Sequence, residues 1–76
     1  MDKLEQRTIE QYFQEFQITD QAVKEKILLR ITDLVYDRNR HVIEHESATD
    51  DYRRQQLANG VKELEDKIVE IIKENQ

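Results

Sequence analysis

At 76 residues the chain suffices for one small domain, and with no Cys it cannot staple itself with disulfides, so its stability must come from packing, a metal or assembly. A formal net charge of −5 and a pI near 5.0 run against the basic surface of a nucleic-acid binder, and no apolar stretch approaches the roughly 18 residues of a membrane span. Pro is absent and Gly60 is the only Gly, which disfavours a turn-rich sheet fold, while 38% charged residues suit helices with a narrow apolar stripe and a broad wet face.

The opening Met1-Asp2-Lys3 lacks an apolar core, so no signal peptide is visible and the expected location is the cytoplasm. Asp2 and Glu5 stand at capping-box spacing and predict a first helix over about 2–16. Ile9, Tyr12, Phe13 and Phe16 fall on one side of it, at spacings of three and four, as a core-facing stripe. Thr19 or Asp20 then caps a second helix over about 20–46. Val23, Ile27, Ile31, Leu34 or Val35, and Val42 form its core stripe. A second stripe, Ala22, Leu29, Tyr36 and Ile43, repeats every seven residues on roughly the opposite side, so this helix is expected to have neighbours on two sides.

Ser47-Ala48-Thr49-Asp50-Asp51 reads as a turn, with Ser47 and Asp50 at capping-box spacing and two acids suited to a helix N-terminus. A third helix over about 49–74 carries Leu57, Val61, Leu64, Ile68 and Ile71 at heptad spacing, which suits antiparallel packing against the second helix. Asn59-Gly60 is a turn signal elsewhere. Here the stripe passes through it in phase, which predicts one continuous helix with Gly60 permitting close approach.

The expected fold class is therefore all-α: a single domain of a short N-terminal helix plus a long antiparallel helical hairpin. If the first helix covers the Leu29/Tyr36/Ile43 stripe, the result is a monomeric three-helix bundle. If a second copy covers it, the result is a dimeric helical bundle, and small size favours this homodimer.

Few residues invite chemistry. His41-Val42-Ile43-Glu44-His45 spells H-x-x-E-H, and over these five residues it resembles the inverzincin metalloprotease motif. A catalytic zinc needs three protein ligands and a cleft. No third ligand is identifiable, so His41 and His45 are weak metal candidates and two helix-surface histidines are the expected reading. His45-Glu46 on a hairpin also resembles the dimerisation domain of sensor histidine kinases, which would imply phosphotransfer at His45. The Pro that often follows in that family is missing here. Arg38, Arg40, Arg53 and Arg54 fall near the expected hairpin turn with both His residues, where they suit an acidic partner or, as an alternative, nucleic acid. The same stretch holds Asp37, Glu44, Glu46, Asp50 and Asp51, so internal ion pairing competes. No Gly-rich phosphate loop is present and no cofactor is implied. The sequence points to a non-enzymatic protein–protein interaction module, with Leu29, Tyr36 and Ile43 expected in assembly and Arg38, His45, Arg53 and Arg54 in recognition.

Overall fold

In the computed structural model, which describes residues 4–76, three helices follow one another: α1 (Ile9–Glu15), α2 (Gln21–Ser47) and α3 (Asp51–Glu74). α2 and α3 form the antiparallel hairpin, and the particle is 43 Å long by 17 by 16 Å. At about 1.5 Å per residue, α2 alone spans most of that length.

The first helix is shorter than the span of about 2–16 that the Asp2/Glu5 spacing predicts, and begins where its apolar stripe begins. Its N-terminus is fixed by Thr8, whose side chain accepts from the Gln11 N–H (3.2 Å) while the Gln11 side chain accepts from the Thr8 N–H (2.9 Å). This Thr-x-x-Gln box satisfies two orphan donors at once and starts the helix at Ile9. Residues 4–8 are irregular instead of helical, and the Asp2 half of the expected capping box lies outside the described residues. The backbone of Arg7 is consumed elsewhere: its N–H donates to Asn39 Oδ1 (3.0 Å), and Asn39 Nδ2 donates to its carbonyl (2.7 Å).

α1 ends in a Schellman motif. Ile18 N–H donates to Phe13 O (2.9 Å) and Gln17 N–H to Gln14 O (3.2 Å), with Gln17 at φ 56°. The left-handed residue is a Gln where Gly is usual, and the motif turns Ile18 inward to a buried position.

α2 is capped by Asp20, which accepts from the N–H groups of Ala22 and Val23. Its C-terminus corrects the expected turn. Ser47 does not cap α3; it is the last residue of α2, where its hydroxyl donates to Glu44 O (3.1 Å). Asp50 caps α3 by accepting from the Arg53 N–H (3.2 Å), which leaves a connection of only residues 48–50. α3 runs unbroken through Asn59-Gly60.

The core is unequal along the hairpin. Near its open end, Tyr12, Phe13 and Ile18 join Ile27, Ile31, Val35, Ile68 and Ile72 in one buried cluster, and Gln76 donates to Phe16 O (2.9 Å). Nearer the turn, Val42, Leu57 and Val61 are buried outside that cluster. In α3 the most deeply buried late residue is Ile72, not Ile71. A straight helix drifts about 20° per heptad, so the seam moves one position by its last turn. α1, two turns long, sits over the open end and does not cover Leu29, Tyr36 and Ile43. The expected monomeric bundle with the first helix on that stripe is thus not the one formed: the aromatics of α1 enter the seam on the other side of α2.

A Cβ on Gly60 would stand 2.8 Å from Cδ2 of His41, so the glycine is what lets that ring lie against α3. Ala in a helix interior is worth about 1 kcal/mol over Gly. Gly60→Ala is expected to deliver that gain in a His41→Ala background and to forfeit it when His41 is present. A double-mutant cycle by urea unfolding measures this; equal effects in both backgrounds would refute the clash.

Candidate interaction face

The functional side chains anticipated from sequence separate into three places. Leu29, Tyr36 and Ile43 line the outer face of α2, roughly opposite the Ile27/Ile31/Val35/Val42 seam, and are 86%, 67% and 51% exposed. Their placement follows from the heptad interval, which returns a straight helix to nearly the same angle. A scattered exposed apolar residue is ordinary, whereas an aligned row is not. Asp33 and Arg40, both exposed, are interleaved on the same face.

Arg38 is elsewhere. It is 7% exposed and points into the hairpin, not towards the turn. Its Nε donates to Glu65 Oε2 (2.7 Å), and its Nη1 donates to Glu5 O (2.9 Å) and Asn39 Oδ1 (2.9 Å). Glu65 also accepts from Arg7 Nη1 (2.9 Å) and from the Tyr12 hydroxyl. Arg7 lies 4.2 Å from the centre of the Tyr12 ring and pairs with Glu15 as well. One carboxylate thus ties α1, α2, α3 and the segment before α1 together. Burial pushes the Tyr12 hydroxyl well above its usual pKa, and the hydrogen bond to Glu65 adds to that shift. A concavity beside this cluster is lined by Glu5, Arg7, Gln11, Glu15 and Arg38, where both guanidinium groups face the chain's own carboxylates. Arg38 is therefore a structural ion and offers a partner almost no surface.

The turn end brings some of the expected residues together. Glu44 lies between Arg40 (3.5 Å) and Arg53 (3.3 Å), while Arg54 is exposed. His45 is half-buried in the last turn of α2. His41 is also half-buried; its Nδ1 donates to Asp37 O (2.7 Å) and its ring packs on Gly60. Among the described residues, no group of three or more His, Cys, Asp or Glu side chains is arranged to hold a metal ion, and no helix is long and apolar enough to cross a membrane.

Sequence reasoning missed Arg7, Asn39 and Glu65. The signal for Glu65 was present: Arg38 falls on the core stripe between Val35 and Val42, and a cation there requires an acid on the facing helix. Comparison of the chain with protein-family models, curated proteins and solved structures finds no match.

Proposed function

We propose that the chain is a non-enzymatic protein–protein interaction module, of the regulator, adaptor or inhibitor kind, that works by burying the outer face of α2 against another helix and self-associates through it as a homodimer. The observation that carries this reading is the aligned exposure of Leu29, Tyr36 and Ile43 on a helix whose opposite side already holds the core. A helix laid against such a row gains apolar burial without reorganising the hairpin, and the flanking charges set specificity. Glu44 accepts a hydrogen bond from Arg53 and offsets part of the charge of Arg40, which lends little support to a phosphate-binding or nucleic-acid role for the turn end.

Tyr36→Glu is expected to weaken association by at least about a hundredfold, as expected for an aromatic anchor at the centre of an interface. Folding stability should change by less than about 0.5 kcal/mol, because the side chain is exposed in the single chain. Light scattering after size-exclusion chromatography over a wide dilution range, beside a thermal melt, reads both. Association unchanged in a folded Tyr36→Glu variant would remove this face from consideration.

A further inference from the structure

The outer face of α2 is self-complementary. Leu29 and Ile43 stand seven residues before and after Tyr36, and Asp33 and Arg40 stand three before and four after it. At 100° per residue all five fall within one arc, with Asp33 and Arg40 on the same flank. A two-fold axis beside Tyr36 therefore maps each apolar residue onto another and each charge onto its opposite. A pattern that matches itself under such a rotation is the requirement for an isologous contact.

We infer, building on the reading of this face as a docking surface, that its occupant is a second copy of the chain with its α2 antiparallel. Leu29 packs on Ile43 of the second copy, the two Tyr36 side chains meet at the axis, and Asp33 pairs with Arg40 of the second copy twice over. A parallel arrangement, with its two-fold along the helices, would carry the Asp33/Arg40 flank of the second copy to the opposite side of the seam and leave these four charges without opposite partners. Arg40 is available for the pairing: its own-chain neighbour Glu44 is 3.5 Å away and its side chain remains 66% exposed. The row from Leu29 to Ile43 is about 21 Å long at 1.5 Å per residue. A single helix pair of that length is a small interface, so the dimer is a dissociating one.

The charges supply the test, by sedimentation velocity across a dilution series. Asp33→Arg and Arg40→Asp are each expected to weaken the dimer about tenfold, since each replaces two attractive pairs by two repulsive ones. An equimolar mixture of the two variants should return to wild-type affinity, as should the double variant D33R/R40D. Both positions of exchange are exposed, and circular dichroism checks that each variant is folded. Single variants indistinguishable from wild type, with Tyr36→Glu still dissociating the dimer, would overturn the antiparallel register and leave the face standing. A dimer indifferent to Tyr36→Glu would overturn the face itself. A wild-type chain still monomeric at about 1 mM would overturn the second copy as occupant. Because the chain has no Cys, an independent reading comes from mixing Leu29→Cys with Ile43→Cys chains under mild oxidation. Cross-links between the two are expected, and predominant Leu29-to-Leu29 links would refute the arrangement.

Discussion

Replacing Glu65 with alanine is expected to cost about 3–5 kcal/mol, the penalty for stranding a buried cation by removing its partner. Arg38 has almost no solvent to retreat to, and its remaining acceptors, Glu5 O and Asn39 Oδ1, carry no full negative charge. The Tyr12 hydroxyl and one arm of Arg7 lose an acceptor in the same change. A chain of 76 residues has a total stability of only roughly 4–11 kcal/mol at the usual 0.05–0.15 per residue, so much of the fold is at stake. Urea unfolding measures the loss; a cost under about 1 kcal/mol would mean that water replaces the carboxylate. The same cluster sets an alkaline limit. Tyr12 ionises near 10.0 in the unfolded chain but higher in the folded one, so its contribution is intact below pH 10 and declines as pH rises above it. Wild type should lose up to about 1.4 kcal/mol per pH unit there, and Tyr12→Phe should lack that slope.

Phe13→Ala is expected to cost a comparable amount, about 3–5 kcal/mol for a buried Phe truncated to Ala. Phe13 is buried in the open-end cluster, and its carbonyl also accepts the closing hydrogen bond of the α1 Schellman motif. The packing lost is one of the two buried aromatics by which α1 holds to the hairpin, the other being Tyr12, so the segment before Asp20 should detach before the hairpin does. Amide exchange distinguishes the two: protection should fall first at residues 11–18 and at Ile72, and last around Val42 and Val61. A uniform loss across all three helices would show that the hairpin cannot stand without its N-terminal cover. Core aliphatics at the turn end, such as Val61, provide the control, because α1 does not reach them.

The three helices, the hairpin and most of the core were legible because their signals are local and periodic. Ile27, Ile31, Val35 and Val42 are buried where a 3.6-residue repeat places them, and Leu29, Tyr36 and Ile43 emerge where a seven-residue repeat leaves them. What escaped depended on contacts distant in sequence or on competition between caps. The Thr8–Gln11 box overrode the pattern that ran back to Asp2, and Asp50 took the role expected of Ser47. Ile18 was passed over because its burial follows from the turn at Gln17 and not from any stripe. Arg38 was assigned to the turn end on proximity in sequence, although nine residues of helix carry it about 13 Å away from Ser47 at 1.5 Å per residue. Its position on the core stripe was the better guide.

The separation in sequence between the N-terminal segment and its anchors has a kinetic consequence. α2 and α3 are joined by residues 48–50 and can zip from the turn through near neighbours. Tyr12 meets Glu65 and Phe16 meets Gln76 only across 53 and 60 residues, after the hairpin has brought those partners into place. Closing so long a loop costs entropy that later contacts must return. Docking of α1 therefore belongs to the downhill side of the folding barrier. Changes at Phe13 or Tyr12 should act by hastening unfolding while the folding rate stays nearly constant, and changes at Val42 or Leu57 should slow folding itself. The lifetime of the native chain is thus governed by its N-terminal fifth, and the speed of its formation by the end that segment never touches.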